Sequence, residues 1–200
     1  MLVIIFGRPG AGKSSVTDKA LQLCKQEKTS GYVHGLDLDV CVPQWMRDNF
    51  GKGIYPTLEQ RKEFAVGACD YVDEQKNRFE TDACGASVKI LISFSFVNTD
   101  LRDVFRERFP DAKWILVDTS GEEAQDRIQK REGHFYKGAP TKTDSSETDS
   151  KSEMDVASDV NNEDNSEWNF AKVEFEHLIL NGLDSIEDNA QKIIEIIMDS

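Results

Sequence analysis

The N-terminal stretch "LVIIFGRPGAGKSS", Leu2 to Ser15, constrains the fold more than any other part of the chain. Five apolar residues run straight into a loop with Gly7, Gly10 and Gly12, followed by Lys13 and Ser14, which satisfies G-x-x-x-x-G-K-[ST]. The apolar run reads as a buried parallel strand, and "KSSVTDKALQLCKQ" after it as a helix with Val16, Ala20 and Leu23 on one face. A strand, a glycine-rich turn and a helix in that order aim backbone N–H groups and the positive helix end at one anion. In such a phosphate-binding loop, Gly7, Arg8, Pro9, Gly10, Ala11, Gly12, Lys13, Ser14 and Ser15 cradle the phosphates. Lys13 is then a point charge for the β- and γ-phosphates, and the Ser14 hydroxyl a ligand for Mg²⁺. The loop alone does not choose between kinase, GTPase and motor.

A chain of 200 residues suits one α/β domain with a full core. No stretch approaches the length of a membrane span, and the apolar N-terminus lacks a basic region and a small-residue cleavage site, so a cytoplasmic protein is expected. Cys24, Cys41, Cys69 and Cys84 form no C-x-x-C pair and read as reduced thiols in or near a core. A net charge of -13 argues against nucleic acid and anionic membrane as partners.

The charge is concentrated. Between 141 and 167 nine acidic residues face only Lys142 and Lys151, in a tract with no aromatic residue. Such a segment cannot bury enough surface to offset its ordering entropy, so a disordered acidic insertion is expected there. Ser145, Ser146, Thr148 and Ser150 lie among these acids, a setting for phosphorylation, and a passive solvated loop is the alternative.

Elsewhere strand and helix alternate. Apolar runs at "LVIIF", "GYVHGL", "VKILISFSF" and "AKWILVD" predict parallel strands, with a fifth at "HLILNG". Helical patterns fall at roughly 13–27, 58–79, 98–108, 121–132 and 185–198. This is a doubly wound, three-layer α/β sheet, with its ligand site at the carboxyl ends of the strands.

Asp37 and Asp39 follow the second strand, at the same edge as the glycine loop. Phosphoryl transfer needs one acid to hold Mg²⁺ or its waters and another to orient and deprotonate an attacking hydroxyl. A helix N-cap with a solvated neighbour is the competing reading of the same pair. Arg61, early in a helix whose apolar face carries Phe64, Ala68 and Val72, either clamps an anionic substrate group or pairs with Glu59 or Glu63. Arg127 and Arg131 share a helix face that runs into Gly133, His134 and the acidic tract. They suit a lid that closes on ATP, or simply complement the helix dipole. No N-K-x-D guanine signature occurs, and "DACG" precedes the third strand rather than following it, which disfavours a switch GTPase.

With these residues in place, the chain resembles the gluconate kinase and shikimate kinase group of P-loop kinases, and gluconokinases more closely. Gly53 and Arg61 match the spacing of that family's "G-x-P-L-x-D-x-D-R" segment. "LRDVFRERF" resembles the helix after its third strand, and Arg127 to Phe135 its "R-L-x-x-R-x-G-H-F" approach to the lid. The resemblance covers roughly residues 1–136. It implies a nucleoside-monophosphate-kinase-like core that uses Mg·ATP to phosphorylate a hydroxyl of a small, carboxylate- or phosphate-bearing metabolite. By position, Lys13 and the loop would hold the phosphates, Asp37 would serve Mg²⁺ or act as base, Asp39 would contact the acceptor hydroxyl, Arg61 would hold the acceptor's carboxylate, and Arg127 and Arg131 would cover ATP. The sequence departs from gluconokinases on the acceptor side: Leu36 and Asp39 replace an acid and a histidine, and Asn98 replaces a lysine. A nucleoside or nucleotide kinase, or a nucleotide-binding regulatory protein with altered acceptor chemistry, are the other readings of the same chain.

Overall fold

A computed structural model describes residues 1–26, 32–130 and 170–198. Five strands, β1 (Leu2–Phe6), β2 (Tyr32–Asp37), β3 (Val88–Ser93), β4 (Lys113–Asp118) and β5 (Leu178–Asn181), form one sheet in the order β2-β3-β1-β4-β5. Every pairing is parallel. The helices are α1 (Lys13–Gln26), α2 (Gln44–Phe50), α3 (Leu58–Asp82), α4 (Thr99–Arg108), α5 (Gly121–Lys130) and α6 (Ile186–Met198), with a 3₁₀ turn at Leu38–Cys41. All five predicted strands are present, close to their predicted bounds.

β1 shows why the chain winds both ways. Leu2, Ile4 and Phe6 join a core with α3 and α4, through residues such as Val72 and Phe105. Val3 and Ile5 join a second core with α1 and α6, through Val16, Ala20 and Ile193. All five residues are buried, as a strand covered on both faces must be. On α1 the buried stripe continues to Cys24, with Leu23 only half-buried, because the face drifts with the 3.6-residue period.

The crossover leaving β1 packs on one face and the crossover leaving β3 on the other. Their carboxyl ends therefore flank the crevice where a doubly wound sheet binds its ligand. Register sets the level of the site: Ser93 pairs with Ile5 on one side and with Asp37 on the other, so three strand ends meet at one height.

Two local features depart from the sequence reading. β3 stops at Ser93 rather than running to Phe96, because its neighbours β1 and β2 end at that level, at Phe6 and Asp37; Phe96 beyond it adopts a left-handed backbone (φ 44). The segment between β2 and α3 holds the 3₁₀ turn and α2, neither of which was expected. α2 follows Pro43, its extended N-cap residue, and buries Met46. No helix among the described residues is long and apolar enough to cross a membrane.

Candidate active site

Gly7 and Gly10 shape the loop. Gly10 has φ +84, and a Cβ there would overlap the Ala124 carbonyl oxygen of α5; at Gly7 (φ +151) a Cβ would lie 2.5 Å from the Val117 carbonyl oxygen. Both positions need glycine for backbone conformation and for close approach. α1 starts directly after the loop, with Val16 N–H donating to Gly12 O. Lys13 is buried, and its Nζ donates to Arg8 O at 2.8 Å, so the ammonium sits inside the loop's own curve.

Ser14 Oγ donates to Asp37 Oδ2 at 3.0 Å. The other oxygen, Oδ1, accepts Asp39 N–H at 3.0 Å and caps the 3₁₀ turn. The capping reading of this aspartate is therefore met by Oδ1, while Oδ2 places the side chain against Ser14 of the loop. Asp39 lies one residue into the turn and, unlike a merely solvated neighbour, lines the same cavity as Asp37; its carbonyl accepts from Arg47 Nη2. Arg47 Nε also donates to Val42 O at 2.9 Å, locking α2 against the turn. Burial, aided by the negative charge of Asp37, pushes the Cys41 thiol up to about 11, so it stays protonated beside the site.

The cavity running from the loop has a volume of about 310 Å³. Lys13, Ser14, Asp37 and Asp39 line it, together with an apolar wall of Val42 and Met46, Phe50 from α2, Phe64 from α3, Phe94 from the β3–α4 connection and Leu101 from α4. Ser95 and Asn98 add polar atoms, and Tyr55 and Arg61 complete the rim. Asn98, in the position of the missing lysine, also precedes α4 as its N-cap residue, without a side-chain cap bond.

Arg61 lines the cavity but does not pair with Glu59 or Glu63. Its Nε and Nη2 donate to the two oxygens of Asp100 at 2.9 and 3.2 Å, and Nη1 donates to Pro56 O at 3.0 Å. Asp100 stands in the first turn of α4, 39 residues away in sequence. The fork is thereby engaged by a carboxylate of the chain itself.

Arg127 lies against the loop. Nε pairs with Glu123 at 2.9 Å, while the two terminal nitrogens donate to Ala11 O at 3.4 Å and Gly182 O at 3.1 Å. It ties the phosphate loop to the β5–α6 turn. Arg131, His134 and the acidic tract at 141–167 with its serines lie outside the described residues.

Sequence reasoning missed Arg102. Only 1% exposed, it donates from Nε to Phe96 O at 2.7 Å, from Nη1 to Ala171 O and Lys172 O, and from Nη2 to Val97 O. Its guanidinium carbon lies 4.4 Å from the Phe170 ring centroid, and Arg8 of the loop lies over the same ring at 5.7 Å. Arg102 therefore fixes the connection that walls the cavity and anchors residues 170–172 to it. Burial lowers its pKa to about 10, still charged at neutral pH. The aromatics Phe170 and Phe175 pack against the core, at 6.2 and 6.0 Å from the Phe6 ring. His177 is likewise structural, its ring 6.1 Å from that of Phe6 and its Nδ1 2.7 Å from Phe175 O. The cysteines are free, with Cys24 and Cys69 buried and Cys84 exposed rather than in a core.

No family profile and no curated protein sequence matches the chain. Solved structures do. A sugar kinase from Janibacter sp. HTCC2649 aligns with a TM-score of 0.65 at 18% identity, over 98% of this chain and 94% of that one. A gluconokinase from Sinorhizobium meliloti 1021 aligns at 0.58 and 15%, covering 98% and 95%. The Mycobacterium tuberculosis APS kinase, solved with AMPPNP and APS, aligns at 0.58 and 17%, covering 98% and 96%. The fold is that of these P-loop kinases, as the sequence resemblance implied; identities this low speak to fold and not to substrate.

Proposed function

We propose that the chain is an ATP-dependent phosphotransferase that moves the γ-phosphoryl group onto a hydroxyl of a small metabolite. One observation carries this reading: Lys13, the Ser14–Asp37 pair and Asp39 line the same cavity as a set of apolar and aromatic residues from α2, α3 and the β3–α4 connection, leaving room there for a small acceptor. The loop's N–H groups and Lys13 hold the β- and γ-phosphates, whose oxygens compete with Arg8 O for the ammonium.

The Ser14 hydroxyl and Asp37 carboxylate are hard oxygen donors side by side, which fits Mg²⁺. Ser14 Oγ and the Asp37 carboxylate would be the protein's ligands to Mg²⁺, which would neutralise charge on the transferring phosphates when bound.

Asp39 receives the proton of the acceptor hydroxyl as its oxygen forms a bond to the γ-phosphorus; the bond to the β–γ bridging oxygen breaks and ADP leaves. In this reading Asp37, whose oxygens accept from Ser14 Oγ and Asp39 N–H beside the loop, is the acid assigned to the ion, and Asp39 is the one assigned to the acceptor hydroxyl. Arg127 covers the donor side, and Arg61 shapes the acceptor side. Reduced thiols and ATP use both suit a cytoplasmic enzyme.

The gluconokinase resemblance favours a sugar acid as acceptor. The aromatic wall and the engaged Arg61 fork favour a second acceptor class, a nucleoside. The test is ADP formation from Mg·ATP against gluconate, other sugar acids, shikimate, nucleosides and nucleoside monophosphates, with Lys13→Ala as control. Turnover driven by one acceptor and abolished by Lys13→Ala supports the reading; ATP binding with every acceptor silent favours a regulatory binder.

A further inference from the structure

We propose that the inner chamber holds the flat ring of an uncharged nucleoside, whose sugar hydroxyl is the phosphoryl acceptor. The inference rests on the kinase reading above and names its acceptor class.

Three observations carry it. The first is the wall: Phe64 and Phe94 stand 5.4 Å apart at 40°, and Phe50 and Tyr55 6.1 Å apart at 59°, all four lining the same chamber. A polyhydroxy acid would bury several hydroxyls against these rings and against Val42, Met46 and Leu101, and each unpaired hydroxyl is costly to desolvate. A nucleobase instead offers two apolar faces to the rings and places its polar atoms on its edge. Ser95 and Asn98, the polar residues of this wall, suit such an edge.

The second is charge. Arg61 is neutralised by Asp100 through two hydrogen bonds, and the remaining carboxylates of the cavity belong to Asp37 and Asp39. An anionic acceptor would compete with Asp100 for Arg61, whereas a neutral one leaves the pair intact.

The third is rigidity. The Phe94–Asn98 wall is held by Arg102 on the Phe96 and Val97 carbonyls, and buried Phe96 sits with φ 44 and packs edge-on to Phe94 at 5.4 Å. Left-handed backbone at a large residue is strain maintained where position matters. The Phe94 ring is thus presented in a fixed place.

The reaction balances as a simple transfer. The sugar oxygen bonds to the γ-phosphorus, its proton passes to Asp39, the bridging P–O bond breaks, and a nucleoside monophosphate and ADP result.

The test uses the full chain with its donor site saturated by Mg·AMPPNP, so that nucleosides report on the acceptor side. Calorimetry with adenosine, guanosine, cytidine and uridine, their 5′-monophosphates and gluconate gives affinities, and ADP formation from Mg·ATP is measured in parallel. The expected result is binding of at least one nucleoside, tighter than its monophosphate and than gluconate. Phe94→Ala and Phe64→Ala should each weaken it by about tenfold or more. Phe94→Leu, which keeps apolar volume without a π-face, should also weaken it, while Phe94→Tyr should not. Absence of nucleoside binding overturns the inference, as does binding unchanged in the folded Phe94→Leu variant. If gluconate or another sugar acid drives ADP formation while no nucleoside binds, this inference fails and the kinase reading stands. If nucleosides bind through Phe94 yet no acceptor yields ADP, the kinase reading fails instead.

Discussion

Ser14 and Asp37, 23 residues apart in sequence, meet through a hydrogen bond of 3.0 Å that joins the phosphate loop to the end of β2. The adjacency comes from register: β2 pairs with β3 and β3 with β1, so the tip of β2 lies level with the start of the loop.

Removing the charge of Asp37 while keeping its shape isolates its role. Asp37→Asn retains an oxygen to cap the 3₁₀ turn. It is expected to lower kcat by about a hundredfold while costing under about 1 kcal/mol of stability. A coupled ADP assay and a urea melt of the same preparation read both quantities. A large loss of stability with little change in kcat would make Asp37 a structural cap only.

Gly10→Ala tests whether the loop's shape depends on its contact with α5. The new Cβ meets the Ala124 carbonyl in a left-handed backbone, and the variant should lose about 1–3 kcal/mol of stability together with ATP affinity. Urea unfolding and ATP titration check the two. A variant equal to the parent in both would show that the loop tolerates a different path.

Much of this fold is legible in the sequence because its signals are local. The run "LVIIF" is a buried strand from its unbroken apolarity, and the glycine positions announce the loop. Long-range choices are not local. Arg61 has two acidic neighbours on its own helix, and spacing alone pointed to them; the sheet instead delivers Asp100 from the next crossover. Arg102 gave no signal, because its acceptors are backbone carbonyls of Phe96, Val97, Ala171 and Lys172, which any residue types supply. α2 lay hidden in seven residues, too short for periodicity, although Met46 and Phe50 are spaced i, i+4. The aromatic wall of the cavity went unseen for the same reason: its rings come from α2, the α2–α3 connection, α3 and the residue after β3, and only tertiary structure gathers them.

Arg102→Met keeps a long apolar stem but leaves four carbonyls without their shared donor. It should cost about 2–3 kcal/mol of stability. Because residues 94–98 line the cavity in which the acceptor is proposed to bind, acceptor KM should rise more than ATP KM. Equal rises in both would place the effect on the whole fold rather than on the wall.

His34 gives the chain an acid-sensitive point. Its ring stacks on Phe79 at 3.8 Å, its Nε2 is buried with no hydrogen-bond partner, and burial lowers its pKa below the ordinary 6.5, partly opposed by Asp82. Below about pH 6.5 the unfolded chain takes up a proton that the folded chain resists, so stability falls as pH drops; above it both states are neutral and the effect vanishes. In melting curves between pH 5 and 7.5, within about one to two units of that pKa, the melting temperature of wild type should fall more steeply toward acid than that of His34→Phe, which keeps the stack without the titration. A constant difference between the two proteins across the range would remove His34 from the acid response.

The central claim is that the loop, Ser14 and Asp37 together form a Mg·ATP site. Its most direct test is calorimetric titration of ATP into the full chain with and without Mg²⁺, in wild type, Lys13→Ala and Asp37→Asn. The account predicts that Mg²⁺ tightens ATP binding in wild type, that Asp37→Asn loses most of this Mg²⁺ dependence while still binding ATP, and that Lys13→Ala binds weakly in either condition. ATP affinity indifferent to Mg²⁺ in wild type, or unchanged in Lys13→Ala, would contradict it.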